Sequence, residues 1–366
     1  MMTFTINLRE DQFTEAPRCL AESPEFRVIA QRYPSGVASL TVHNSRGYIE
    51  VLPFMGGIIW DAQFDGISLR MKNMFSQPRP AREISDTYGC FAFHSGLLAA
   101  GCPSPDDTHV LHGEFSCATM DGSWIEIDGC GNDGAIRLAS TYEYARGFGD
   151  HYRATPTVSL GAGATDVTIG MDVENLSPCQ PMPLQYMCHM NYAFVPGGVM
   201  RQSLPAGSFQ LRRSIPAHVT PTPEWIELNN RIIAGDIDAD SLEGAESFNP
   251  EIVYFADDLP RYGQNVRFEL AAPEGHAFFT EFSTAQFPVA TRWILWTLDQ
   301  QVAAFVLPGT SRPEGFLAAK EAGTLIWVEP GGIRSFRVHT GLVPEGQATE
   351  LSHSRSAKND TAEEAH

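Results

Sequence analysis

Period-two alternation of apolar and polar side chains runs along most of this chain and constrains its fold more than any other feature. In residues 167–174, Val, Ile, Met and Val alternate with Thr, Gly, Asp and Glu. Residues 124–128, 208–212 and 333–340 read in a similar way. Successive side chains of a β-strand point to opposite faces, so such a segment buries one face and exposes the other. These segments are predicted to be half-buried strands.

Turn-forming residues separate the predicted strands. The chain contains 32 Gly and 25 Pro, and residues 129–134 read Gly-Cys-Gly-Asn-Asp-Gly between two strand patterns. Helical periodicity is short and scattered, with its best candidates near Asp86–Tyr88 and Pro223–Asn229. Many strands, frequent turns and few helices are typical of a large sandwich or barrel. The sequence therefore predicts an all-β protein.

The chain shows no internal repeat and no Gly/Ser linker. All-β sandwiches of more than about 200 residues are common as single domains, so we predict one domain over residues 1–345. Residues 205–260 are richer in Pro and acidic side chains, which indicates long connections over the surface. One rim of a cleft is expected to be formed by these connections. Residues 346–366 are too polar to offset their ordering entropy by burial and are predicted to form a tail.

The composition excludes several classes of partner. With 44 Asp and Glu against 25 Lys and Arg, the net charge of −19 would repel a phosphate backbone, so no nucleic acid is expected. No apolar run approaches the roughly 18–20 residues needed to cross a bilayer, and the first residues lack the pattern of a signal peptide. No membrane partner is therefore expected.

The seven cysteines are an odd number, and none forms a Cys-x-x-Cys pair. This spacing excludes a zinc ribbon and a thioredoxin-like site. Free thiols without an export signal indicate a reducing compartment, so a cytoplasmic location is predicted.

The segment from Val173 to Tyr192 is the most informative for function. A strand ends near Asn175, a Pro-rich turn follows, and a second strand begins near Leu184. On this second strand the side chains Gln185, Met187, His189 and Asn191 share one face. Each buried polar group needs a hydrogen-bond partner, so a face that mixes amides with an imidazole favours the wall of a wet cleft. A purely structural role for His189 is the alternative.

A second polar cluster comprises His94 in residues 93–98 and Leu-His-Gly-Glu at 111–114. His112 and Glu114 would share a face if their segment were extended, and Gly113 would permit a turn or a close backbone approach. Neither histidine has the His-x-His or His-x-x-x-His spacing of common metal sites, so no metal is predicted.

The order of these motifs resembles that of the aldose 1-epimerases, in the less characterised branch of the galactose mutarotase-like superfamily. The resemblance covers about residues 25–345 and begins with a Gly-rich hairpin at 56–66. Residues 111–113 are similar to the family's sugar-binding Leu-His-Gly, and Asn175 to Tyr192 resembles the segment with its catalytic histidine. Residues 249–254 resemble a sugar-contacting stretch, and 279–284 with Trp293 resemble a late pair of core strands.

The resemblance implies a large antiparallel β-supersandwich with few short helices, which binds a free aldose or a derivative and interconverts its anomers. It implies His189 as the acid that opens the ring, a role suited to an imidazole with a pKa near 6.5. No cofactor is needed. The implied sugar contacts are His112, Asn191, Glu114, His94, Glu251 and Trp293, with Trp60 as a second aromatic candidate. Which sugar is bound and the oligomeric state stay open.

The chain departs from the family at the catalytic base, a glutamate on a late strand. Leu307 stands at its position, and leucine cannot take a proton. Glu314, in the following turn, is the predicted replacement, and Glu329 is an alternative whose segment fits the final hairpin better. Two other functions stay open: a carbohydrate-binding or sensing protein without a base, and another sugar isomerase that uses His189 and His112 differently, with or without a metal.

Overall fold

The computed structural model describes residues 3–347 except 130, 132, 217, 218 and 239. For Glu246 it describes the backbone alone. The predicted tail lies outside the described residues from 348 onward. Within the described range the predicted all-β class is confirmed, because two large antiparallel sheets contain most of the regular structure.

The strands are β1 (Thr3–Leu8), β2 (Arg18–Glu22), β3 (Arg27–Arg32), β4 (Ala38–His43), β5 (Gly47–Leu52), β6 (Ile58–Phe64), β7 (Ile67–Ser68), β8 (Ala92–Leu97), β9 (Gly122–Asp128), β10 (Ala135–Ala145), β11 (His151–Gly161), β12 (Asp166–Asn175), β13 (Met182–Met190), β14 (Val199–Gln202), β15 (Gln210–Leu211), β16 (Ile252–Ala256), β17 (Asn265–Ala271), β18 (Ala277–Ser283), β19 (Val289–Trp296), β20 (Gln301–Gly309), β21 (Ile326–Val328) and β22 (Ile333–Val343). The α-helices are α1 (Pro223–Ala234) and α2 (Phe316–Glu321), and short 3₁₀ helices cover Glu10–Gln12, Ile84–Thr87, Ala245–Ser247 and Leu259–Tyr262.

The nine-stranded sheet has the order β1-β9-β10-β11-β12-β22-β18-β17-β14. The 13-stranded sheet has the order β15-β16-β19-β20-β13-β8-β6-β5-β4-β3-β2, with β21 paired to β13 and β7 paired to β6. Strand β13 therefore lies between β8 and β20 in the middle of this sheet, and β19 follows on the far side of β20.

The alternation predicted from sequence for residues 167–174 matches the burial of β12. In β12 the four apolar side chains at 167, 169, 171 and 173 are all buried. The strand predicted at 208–212 is shorter, because Ser208 N–H donates to the Pro205 carbonyl in a turn and only Gln210–Leu211 pairs with β16. The helix predicted near Pro223 is confirmed as α1, where Thr222 caps the first turn by accepting from the Trp225 amide at 3.2 Å.

Contacts between the sheets decide which way β13 faces. The Tyr186 ring centroid lies 5.0 Å from that of Phe336 in β22, and the Tyr192 hydroxyl lies 2.6 Å from the Thr340 hydroxyl of the same strand. Even-numbered side chains of β13 therefore point into the core. Met187 and His189 point to the opposite face, away from the nine-stranded sheet.

The described helices include none that is long and apolar enough to cross a membrane. Six cysteines are described, and all carry free thiols: Cys19, Cys90, Cys102, Cys117, Cys179 and Cys188.

A buried arginine fastens the long connection between β14 and β16 to the sheets. Arg292 of β19 is only 1% exposed. Its guanidinium donates to Asp240 Oδ1 at 2.8 Å, to Gln202 Oε1 at 2.8 Å and to the Phe305 carbonyl at 3.3 Å. Gln202 belongs to β14 and Asp240 to the connection, so one side chain joins both sheets to the segment that leads to residues 249–251.

We expect Arg292→Met to lower the free energy of unfolding by about 3–5 kcal/mol, because it removes a buried guanidinium whose hydrogen bonds join Asp240, Gln202 and the Phe305 carbonyl. Arg153→Ala is the control, since the Arg153–Glu174 ion pair at 3.0 Å is largely exposed and such pairs contribute less than about 1 kcal/mol. Urea denaturation of both variants measures the difference. Equal losses would show that the Arg292 cluster is not an anchor.

Candidate functional site

A cavity of about 510 Å³ lies on the outer face of the 13-stranded sheet. Strands β13, β16, β19 and β20 contribute side chains to its wall, and the rest comes from the connections between strands, among them those around residues 88, 112 and 251. The side chains that carry chemistry in this lining are Tyr88, Cys102, His112, His189, Arg212, Glu251, Thr291 and Trp293, and Leu307 lies among them.

His189 occupies the centre of an aromatic cluster on the cavity wall. Its ring stacks on Phe93, with centroids 4.5 Å apart and planes 17° apart. The His112 ring meets it edge-on at 4.9 Å and the Trp293 ring at 5.7 Å. The predicted convergence of the two histidines on one cavity is therefore present, although their positions are 77 residues apart in the sequence.

Both nitrogens of His189 are covered by protein atoms. Nε2 lies 3.2 Å from the Tyr88 hydroxyl. Nδ1 is buried and has no hydrogen-bond partner in the described part of the chain. The residue as a whole is 3% exposed.

Burial lowers the pKa of His189 well below its usual 6.5, and like-charge repulsion from His112 lowers it further. Burial also raises the pKa of the Tyr88 phenol well above 10. Both groups are consequently neutral near pH 7, so one of the two nitrogens of His189 carries a proton and the other a lone pair. The Tyr88 hydroxyl can serve Nε2 as donor or as acceptor, according to the tautomer.

His112 reaches the cavity from a tight loop. Its backbone has φ 63°, in the left-handed region, and its carbonyl accepts from the Gly96 amide at 2.9 Å. The Ser95 hydroxyl lies 3.0 Å from Nδ1 and fixes the ring. The next residue, Gly113, has φ 79°, and a Cβ atom there would lie 2.1 Å from the Ala99 carbonyl oxygen. The Leu-His-Gly motif therefore requires its glycine for a close approach of two backbone segments.

Glu251 brings a carboxylate to the cavity. It immediately precedes β16, and its Oε2 accepts from the Trp293 indole N–H at 2.7 Å. Its backbone carbonyl accepts from the indole N–H of Trp225 in α1, also at 2.7 Å. Among the described lining residues Glu251 is the one Asp or Glu, and Arg212 is the one Lys or Arg.

Four of the sugar contacts predicted from sequence lie outside the described lining of the cavity: His94, Glu114, Asn191 and Trp60. His94 points into the core, where its Nδ1 lies 2.8 Å from the Tyr186 hydroxyl and burial lowers its pKa to about 3. Glu114 accepts from the Leu97 and Leu98 amides, both at 3.0 Å, and from the Tyr152 hydroxyl at 2.7 Å. Because residues 112 and 113 are left-handed, this segment is not extended and His112 and Glu114 do not share a face.

Asn191 shares the face of His189 but is buried beside the cavity, where its amide donates to the Cys90 carbonyl at 3.0 Å. The second aromatic candidate, Trp60, is buried in a small cluster around Leu52 and Ile58 under the guanidinium of Arg70. Of the predicted contacts, His112, Glu251 and Trp293 are thus the ones gathered around His189.

The carboxylates proposed as replacements for the base lie elsewhere. Leu307 lines the cavity, whereas Glu314 lines a neighbouring depression of about 300 Å³. Its carboxylate accepts from the Ser214 hydroxyl at 2.6 Å and lies 3.6 Å from Arg212 Nε. Arg212 lines both the cavity and this depression, whereas Glu314 does not belong to the described lining of the cavity. Glu329 is exposed in the turn before β22.

Tyr88, Phe93 and Arg212 belong to this site, although no sequence pattern indicated them. Tyr88 follows the 3₁₀ helix Ile84–Thr87, and nothing in its local pattern distinguishes it from a core aromatic residue. In the described part of the chain no three His, Cys, Asp or Glu side chains come close enough to hold a metal ion.

We expect Gly113→Ala to lower the free energy of unfolding by roughly 2–5 kcal/mol. This loss adds the energetic cost of holding alanine in the left-handed region to the cost of the clash between its Cβ and the backbone. Gly235→Ala is the matched control, because Gly235 has the same φ of 79° but no atom within 4 Å of its added Cβ. That control should lose only about 1–2 kcal/mol. Thermal unfolding of the two variants measures the difference, and equal losses would argue against a close-approach requirement at Gly113.

Comparison with solved structures identifies proteins of similar architecture. A Klebsiella pneumoniae protein named as a candidate aldose 1-epimerase superposes with a TM-score of 0.73 at 14% identity, over 94% of this chain and 92% of its own. A galactose mutarotase-like protein from Clostridium acetobutylicum gives 0.54 at 13% identity, over 87% and 99%. Galactose 1-epimerase from Lactobacillus acidophilus gives 0.51 at 10% identity, over 93% and 98%.

No protein-family model and no curated protein matches the sequence. At these identities the structural similarity establishes the architecture and not the activity. The resemblance inferred from the order of the sequence motifs is therefore confirmed at the level of the fold, and the chain has the galactose mutarotase-like β-sandwich.

Proposed function

We propose that this chain binds a free aldose in the cavity beside His189 and interconverts its anomers. The observation that carries this proposal is the meeting of two imidazoles, an indole ring and a carboxylate in one cavity. A cavity of about 510 Å³ falls within the usual range for small-molecule sites, roughly 300–1,000 Å³.

The lining suits a sugar because it combines a flat apolar surface with a few polar groups. The Trp293 ring can cover the C–H face of a pyranose, and the imidazole of His112, the carboxylate of Glu251 and the guanidinium of Arg212 can pair with hydroxyls. Trp293 is held in place by its hydrogen bond to Glu251. The indole ring of Trp293 and the carboxylate of Glu251 are thus held in a fixed arrangement on the cavity wall.

Anomer interconversion requires one acid and one base. The proton that reaches the ring oxygen originates from the protonated form of His189, and the Glu251 carboxylate takes the proton of the anomeric hydroxyl. The bond between C1 and the ring oxygen breaks, the carbonyl rotates, and the reverse transfers close the ring on its other face. We assign the base to Glu251 and not to Glu314 because Glu251 lines the cavity.

This assignment predicts that Glu251→Gln slows anomer exchange by about 10²–10⁴-fold, since a carboxamide cannot accept the proton. Glu314→Gln is the control and should retain activity. Polarimetry of freshly dissolved aldoses, or exchange NMR across a panel of them, gives the rates. An inactive Glu314→Gln variant beside an active Glu251→Gln variant would restore Glu314 as the base.

The exchange rate is predicted to rise as the pH falls. The pKa of His189 is lowered well below 6.5, so above that pKa its protonated fraction grows about tenfold for each pH unit of acidification. The rate at pH 6 should therefore exceed the rate at pH 7 several-fold, measured where circular dichroism shows an intact fold. That control is needed because a histidine buried neutral destabilises the native state as the pH falls below 6.5. A rate that is flat between pH 6 and 8 would contradict His189 as the acid.

A second candidate function is a sugar-binding protein without catalysis. The observation in its favour is Leu307, which lines the cavity at the position where the resemblance leads one to expect a glutamate. Saturation-transfer NMR separates the two candidates. Binding of an aldose without faster anomer exchange in the wild-type protein would support the binder.

A further inference from the structure

The position of Tyr88 carries a further inference, which rests on the proposed anomer interconversion. Tyr88 lines the cavity, and its hydroxyl lies 3.2 Å from Nε2 of His189. Its ring meets the rings of His189 and Trp293 edge-on, with centroids 6.0 Å away in both cases. Tyr88 therefore touches both the predicted acid and the aromatic wall.

His189 is poorly placed to give a proton directly to a ligand. Its Nδ1 atom is buried, its Nε2 atom is covered by the Tyr88 hydroxyl, and Phe93 and His112 pack against the ring. A proton that leaves Nε2 meets the oxygen of Tyr88 first. The phenol can accept one hydrogen bond and donate another at the same time.

The chain holds Tyr88 firmly in this position. The 3₁₀ helix before it is anchored by Ile84 and Thr87, which are both fully buried, and the Thr87 hydroxyl accepts from the Arg79 amide at 3.0 Å. The Tyr88 ring also packs against Phe93 at 5.6 Å. A fixed hydroxyl between an imidazole and a cavity has the geometry that proton transfer through a side chain requires.

The geometry points to Tyr88 as a catalytic residue that relays the proton between His189 and the ring oxygen of the sugar. In the opening step the protonated imidazole gives its Nε2 proton to the Tyr88 oxygen while the Tyr88 O–H proton moves to the ring oxygen. The electrons of the bond between C1 and the ring oxygen stay on that oxygen. The anomeric O–H electrons form the carbonyl, and its proton passes to Glu251. Tyr88 ends the step as a neutral phenol, and His189 ends it neutral.

Tyr88→Phe tests this relay because it removes the hydroxyl and keeps the ring. We expect anomer exchange to fall by about 10²-fold or more while the dissociation constant for the aldose stays close to wild type. Exchange NMR measures the rate, and calorimetric titration with the same aldose measures binding. Adding Tyr88→Phe to His189→Ala should cause little further loss, since the two residues act on one proton.

Tyr186→Phe is the matched control. It removes a second tyrosine–histidine hydrogen bond, the 2.8 Å contact between the Tyr186 hydroxyl and His94 Nδ1. Tyr186 lies in the same strand as His189, but its side chain points into the core. This variant should keep the wild-type exchange rate when folded, as circular dichroism and binding will show.

Tyr88→Phe with a wild-type exchange rate would overturn the relay and leave the proposed function intact. Tyr88→Phe that loses aldose binding together with exchange would also overturn it, because the hydroxyl would then be a ligand contact. Wild-type protein that binds aldoses without exchanging their anomers would instead refute the proposed function, and the relay with it.

Discussion

Packing between the two sheets is the constraint on which the site depends. Tyr186 and Tyr192 contact β22 of the nine-stranded sheet, and this contact commits one face of β13 to the core. Because side chains alternate along a strand, Met187 and His189 must then emerge on the other face. A shift of the register of β13 by one residue would bury Met187 and His189 in the core and expose the tyrosines.

The sequence was sufficient to predict those parts of the site that depend on strand periodicity. The face of His189 and the all-β class followed from alternation, and the order of the short motifs indicated the fold that the comparisons confirmed. His112 was also a predicted contact, although no local pattern states which strands lie side by side. Its approach to His189 is a product of the pairing of β8 with β13, which joins segments about 90 residues apart.

The remainder of the site depends on backbone geometry and on distant contacts that a pattern does not encode. Glu114 was expected beside His112, but the left-handed residues at 112 and 113 turn the chain, and Glu114 instead caps the amides of Leu97 and Leu98. Tyr88 gave no signal because its partner, His189, lies 101 positions away. Likewise, only the long connection after β14 decides that Glu251 enters the cavity while Glu314 meets Ser214.

Glu251 is held at both ends by indole N–H groups from separate parts of the protein. The Trp225 indole of α1 donates to its backbone carbonyl, and the Trp293 indole of β19 donates to its carboxylate. Remodelling of the 223–234 helix would consequently reach the cavity through the hydrogen bond between Trp225 and the Glu251 carbonyl, whereas His189 is carried by β13 and His112 by the loop that follows β8. Substitutions in α1 can thus shift the Glu251 carboxylate while the strand that carries His189 stays in place.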